Sequence, residues 1–71
     1  MVVLDVPVTD WMHLIRVEYL EMPGLALTRR QMERLWGLDG GTCDEVLAEL
    51  LARGFLVRHP DGRYARPREQ L

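Results

Sequence analysis

The sequence predicts a mostly α-helical domain with a small antiparallel β-sheet, built from three helices and a closing β-hairpin. Three observations carry that expectation. Within residues 42–53, Cys43, Val46, Leu47, Leu50 and Leu51 recur at i, i+3, i+4, i+7 and i+8, the spacing that lines one face of a helix. After Gly54, the runs Phe55-Leu56-Val57-Arg58-His59 and Arg63-Tyr64-Ala65-Arg66 flank Pro60-Asp61-Gly62, a strong turn signal between two strand-like segments. Upstream, Thr28 followed by Gln31 has the residue types of a capping box, in which each side chain satisfies a backbone N–H of the other at the start of a helix.

Length and composition agree with one small domain. A chain of 71 residues lies near the low end of what folds alone. At 48% hydrophobic it is too apolar, and too weakly charged, to remain disordered. Its apolar runs are short and broken by charge, so no membrane span is expected. The Met-Val-Val-Leu-Asp start lacks the basic end and long apolar core of a signal peptide, and a cytoplasmic location is therefore expected.

In chain order, Val2-Val3-Leu4-Asp5-Val6 is short and β-branched, and Pro7 limits it to an edge strand or an extended arm. Residues 1–8 are thus set apart from a domain at 9–66. The first helix is expected to start at Thr9 or Asp10, either of which can cap it. Trp11, Leu14, Ile15, Tyr19 and Met22 form its stripe. Trp11 and Tyr19 are expected in the core rather than on a dimer surface. The helix ends at Met22, because Pro23 disfavours helical geometry in the residue before it and Gly24 follows.

Leu25-Ala26-Leu27 fits a three-residue strand on which the hairpin can dock. Thr28 then caps the second helix, whose apolar stripe is Met32, Leu35 and Trp36, and Gly37 ends it. Leu38-Asp39-Gly40-Gly41 reads as a tight connection between two helices. Thr42 and Glu45 have the residue types of a capping box for the third helix. Residues 67–71 are polar and terminal and are expected to fray.

The chemistry is restrained. Cys43 is the only cysteine and makes no internal disulfide, and neither His13 nor His59 stands at metal-ligand spacing from it. No metal and no cofactor are expected. Cys43 would gain reactivity from a helix start, but its place on the apolar stripe favours a buried structural thiol. No nucleophile stands at a telling spacing from a histidine, and Gly40-Gly41 lacks the Gly-Lys-Ser/Thr ending of a phosphate loop, so no enzyme is expected.

Net charge is −2, which argues against a protein that simply coats nucleic acid. The distribution is uneven. Residues 1–24 carry one arginine against four carboxylates, whereas residues 53–71 carry five arginines against two. The basic end coincides with the hairpin.

Helix, short strand, helix, turn, helix and hairpin follow one another over residues 9–66 in the order of the winged helix-turn-helix domain, which this stretch resembles. The run Ala48-Glu49-Leu50-Leu51-Ala52-Arg53-Gly54-Phe55-Leu56-Val57-Arg58 is similar to the entry into the wing in many bacterial regulators. Glu18-Tyr19-Leu20-Glu21-Met22-Pro23-Gly24-Leu25, Leu35-Trp36-Gly37-Leu38-Asp39 and Asp61-Gly62-Arg63-Tyr64 are similar to a group of small stand-alone bacterial winged-helix proteins.

The resemblance implies a third helix laid in the major groove of duplex DNA and a wing on the backbone or minor groove. Thr42, Asp44, Glu45, Ala48, Glu49 and Ala52 would then face the groove. That face departs from the usual pattern, since base reading relies mainly on Arg, Lys, Asn and Gln. Backbone binding remains, through Arg29 and Arg30 at the second helix start and Arg58, His59, Arg63 and Arg66 on the ribbon. A solvated face on an apolar strand pair is the alternative reading of those same arginines.

Two functions follow as expectations. One is a transcriptional regulator, homodimeric, that holds double-stranded DNA mainly by phosphate contacts from Arg29, Arg30, Arg58, His59, Arg63 and Arg66, with Thr42 in the groove. The other is a protein-docking module in which Asp44, Glu45, Ala48 and Glu49 meet a basic partner.

Overall fold

A computed structural model describes residues 7–67 of the chain. It contains three helices, α1 (Val8–Glu21), α2 (Arg29–Trp36) and α3 (Gly40–Ala52), and three short strands, β1 (Ala26–Thr28), β2 (Val57–Arg58) and β3 (Arg63–Ala65). Residues 1–6 of the expected arm or edge strand at 1–8, and residues 68–71 of the expected tail, lie outside the described residues, while Val8 belongs to α1. No helix among the described residues is long and apolar enough to cross a membrane.

The sheet is antiparallel, in the order β1-β3-β2. Ala26, Leu27 and Thr28 pair with Ala65, Tyr64 and Arg63, while Val57 and Arg58 pair with Ala65 and Tyr64. The expected strand at Leu25-Ala26-Leu27 thus forms one residue further on and holds the ribbon by its β3 edge. At the ribbon tip His59 N–H donates to the Arg63 carbonyl at 2.8 Å and Gly62 N–H to the His59 carbonyl at 2.9 Å. Gly62 takes φ +88, a left-handed conformation that a Cβ would strain.

One core joins the layers. Met12, Ile15 and Tyr19 of α1 pack with Met32 of α2, with Cys43, Val46, Leu47 and Leu50 of α3, and with Leu38 and Leu56. Tyr19 is fully buried, and its hydroxyl donates to the Tyr64 carbonyl at 2.7 Å, tying α1 to the central strand. Burial pushes this phenol up to about 12, against an opposing influence from the Leu27 main chain. Trp11 is half-buried against the same core.

Several elements differ in detail from expectation. α1 starts at Val8 and not after a Thr9 or Asp10 cap: Pro7, held extended at φ −60 and ψ 151, offers its carbonyl to Asp10 and Trp11 N–H. Of the expected stripes, Leu14, Met22, Leu35 and Leu51 are exposed rather than buried. Leu35 and Leu51 lie at the margins of their helices' core-facing arcs, where a three- or four-residue spacing does not distinguish a flank from the centre, whereas Leu14 falls on the outer side of α1 and Met22 is the cap residue that follows it.

The largest correction concerns α3. Its N-cap is Asp39, whose carboxylate accepts from Thr42 N–H at 2.7 Å, and Gly40 and Gly41 form its first turn. Thr42 is therefore inside the helix and is not the cap. Hydrogen bonds from Thr42, the main chain first and the hydroxyl second, hold the Asp39 carboxyl below its usual range. Two adjacent glycines disfavour a helix by propensity; a strong acidic cap and the buried face that follows override them. The Thr28–Gln31 box forms as expected, with both reciprocal bonds present, and α2 ends on Gly37 at φ +65.

Candidate functional site

Arg29 and Arg30 are the first two residues of α2, yet they face different surroundings. The Arg29 guanidinium bonds inward: Nε to Asp44 Oδ1 at 2.6 Å, one terminal nitrogen to Glu33 Oε2 at 3.0 Å and the other to the Gly40 carbonyl at 3.1 Å. It thereby locks the start of α3 against the start of α2. The approach is close enough that a Cβ on Gly40 would meet the Arg29 guanidinium at 3.2 Å. The Asp44 bond is the main reason that the guanidinium is held above its already high range. Cys43 sits just behind, buried, with its thiol 3.9 Å from the Arg29 carbonyl and its pKa raised by burial.

Arg30, by contrast, is exposed, and no carboxylate pairs with it among the described residues. Arg34 stands one helical turn on, also exposed and also without such a partner. The i, i+4 spacing of Arg30 and Arg34 was the signal that could have added Arg34 to the candidate residues.

On the ribbon the basic residues share an element without sharing a face. Arg58 pairs with Tyr64 across the strands, and side chains alternate along β3, so Arg58 and Arg63 project from opposite faces. Both are exposed, as is His59 at the turn. Arg63 has Asp61 nearby, with Nε 3.8 Å from Oδ2, while Asp61 Oδ1 accepts from Arg63 N–H at 3.0 Å. Arg66 turns away from this group. Its guanidinium stacks 3.9 Å from the Phe55 ring centroid and donates to the Phe55 carbonyl.

The outer face of α3 carries Asp44, Glu45, Ala48, Glu49 and Ala52, all exposed. Its carboxylates are less free than their number implies. Asp44 is bonded to Arg29, and Glu49 Oε2 lies 3.5 Å from Arg53 Nε. Glu45 alone among the three has no ion pair among the described residues. A groove of about 410 Å³ runs beside this face, lined by Val8, Thr9 and Met12 of α1 and by Glu45, Ala48, Glu49 and Arg53.

The chain matches no protein-family model, no curated protein and no solved structure. Function is therefore read from the geometry of the chain itself.

Proposed function

We propose that this chain is a winged-helix DNA-binding protein, acting in transcriptional regulation, that grips duplex DNA chiefly by its phosphates. The observation that carries the reading is the placement of exposed arginines: Arg30 and Arg34 one turn apart on α2, and Arg58 and Arg63 on opposite faces of a narrow ribbon. A ribbon with a guanidinium on each face can enter a groove edgewise and reach the backbone on both sides. The wing-like order supports the same reading, with α2 and α3 lying between β1 and the β2–β3 ribbon in the chain.

The acidic recognition face is less of an obstacle than its composition implies. Arg29 and Arg53 neutralise Asp44 and Glu49 locally, which leaves Glu45 as the principal repulsive charge. Arg29 and Arg66 are spent on internal contacts, so the phosphate contacts fall to Arg30, Arg34, Arg58 and Arg63, with His59 beside them. Few base-reading side chains remain on α3. Site specificity is accordingly assigned to pairing of two copies and to DNA shape. Leu14, Val17 and Leu20, exposed along the outer side of α1, are the surface proposed for that pairing.

A second reading, docking of a basic protein segment, is favoured by the apolar-floored groove beside Glu45, Ala48 and Glu49. Reversing charge with Glu45→Arg and Glu49→Arg separates the two. Tighter binding to mixed-sequence duplex supports the DNA reading; no effect on DNA together with loss of a captured basic partner supports docking.

A further inference from the structure

Away from the ribbon face, three arginines distant in sequence converge on one cleft. Arg16 of α1, Arg53 at the end of α3 and Arg66 after β3 line a depression of about 370 Å³ together with Leu50, Gly54 and Phe55. The Phe55 ring is the centre of the arrangement, with the Arg66 guanidinium 3.9 Å and the Arg16 guanidinium 5.2 Å from its centroid. We propose that this cleft is an oxyanion site that takes a phosphate group.

Charge balance favours an anion here. Like charges gathered around one ring repel, and stacking on the ring offsets that only in part. Among the described residues the sole carboxylate paired with any of the three is Glu49, at 3.5 Å from Arg53. Arg16 and Arg66 have none among the described residues. An anion seated between them removes the repulsion.

Donor geometry favours a phosphate in particular. Arg66 spends one terminal nitrogen on the Phe55 carbonyl, which fixes the plane of its guanidinium and leaves its other N–H groups available. Arg16 lies over the same ring at 5.2 Å, with no hydrogen bond among the described residues to occupy its N–H groups. A guanidinium fork oriented as that of Arg66 is, with a second one free beside it, suits the paired oxygens of a phosphate. The cleft is polar and open, at the low end of the roughly 300–1,000 Å³ typical of ligand sites, so it suits a phosphate group with little attached to it. None of the three arginines belongs to the exposed set on α2 and the ribbon, and failure of either proposal leaves the other intact.

The test is a ¹⁵N NMR titration of the full chain with inorganic phosphate at constant ionic strength, set against chloride. The expected result is saturable movement of the Gly54 and Phe55 amides and of the Arg16 and Arg66 Nε–H signals. Affinity should fall roughly tenfold or more in Arg16→Gln and in Arg53→Gln, each losing a charge-assisted hydrogen bond. Arg53→Lys, which keeps the charge and loses the fork, should fall between them and the parent. Shifts no larger than those with chloride, or unchanged affinity in folded Arg16→Gln, overturn the proposal. A parallel titration with a short duplex identifies the source: the same signals moving, in competition with free phosphate, mark a DNA backbone phosphate, whereas movement with free phosphate alone marks a small phosphorylated ligand.

Discussion

Arg29 Nε meets Asp44 Oδ1 at 2.6 Å, and this single bond changes the meaning of both residues. From sequence, Arg29 belonged to a phosphate-binding pair and Asp44 to an acidic docking face. Together they form the joint between α2 and α3. Arg29→Gln should therefore lower the thermal unfolding midpoint by several degrees while leaving the salt dependence of DNA binding almost unchanged. Differential scanning calorimetry and a salt titration on the same sample check both halves.

Arg58 and Arg63 should behave in the opposite way. Exposed arginines on a two-stranded ribbon contribute little to stability, so Arg58→Gln with Arg63→Gln should leave the unfolding midpoint nearly unchanged. DNA affinity should fall across all sequences, and the slope of log K against log salt should become less negative by about 2, near one unit for each phosphate no longer neutralised. A weakening confined to one DNA sequence would assign these residues to base readout instead.

Tyr19 predicts an alkaline transition. Its folded-state pKa of about 12 lies above the ordinary phenol value of 10, so the folded protein binds its proton more tightly than the unfolded chain does. The associated stability is fully present below pH 10 and is lost as pH rises towards 12. The chain has no lysine, so few other groups titrate in that range. Tyr19→Phe should flatten the pH dependence above pH 10. At neutral pH it should cost about 1–2 kcal/mol, because the Tyr64 carbonyl loses its donor. Denaturant unfolding at neutral and alkaline pH measures both.

Asp39 predicts an acid-side effect. Its carboxyl is held below its usual range by Thr42, so its contribution is present above the ordinary carboxylate pKa and is lost as pH falls through the lowered folded value. Asp39→Ala should lower the unfolding midpoint by a few degrees and expose the first turn of α3 to faster amide exchange. Asp39→Asn should retain most of the cap. Equal destabilisation in both variants would mean that the charge matters more than the hydrogen bond.

Cys43 should be inert in the folded state. It is 1% exposed, and burial raises its thiol pKa. Reaction with a small thiol reagent at mild alkaline pH should be roughly a hundredfold or more slower than in denaturant, limited by opening of the domain. Rapid native reaction would place the thiol at the surface.

Much of the fold was legible because the strong local signals were also the correct ones. The Cys43-Val46-Leu47-Leu50 stripe, the Thr28–Gln31 box and the Pro60-Asp61-Gly62 turn each correspond to an observed element. The start of α3 was misplaced because Gly40-Gly41 reads as loop by propensity, although Asp39 three residues before Thr42 has the spacing of a cap. Stripe margins such as Leu35 and Leu51 are exposed, which periodicity does not show because it gives a face and not its width. The candidate site was less legible for a different reason. A sequence reports how many arginines and carboxylates there are and can suggest an i, i+4 pair such as Glu49 and Arg53, but only tertiary contact reveals that Arg29 neutralises Asp44 and that Arg66 lies on Phe55.

The most direct measurement is fluorescence anisotropy of a labelled mixed-sequence duplex, titrated with the parent protein and the Arg58→Gln, Arg63→Gln double variant over a range of salt. Binding by the parent at low salt, weakening with a slope of about −3 to −4 for three or four phosphate contacts, and a slope less negative by about 2 in the variant are the predicted results. Absence of binding at low salt by protein shown to be folded, or a slope unchanged by removal of both ribbon arginines, would contradict the account.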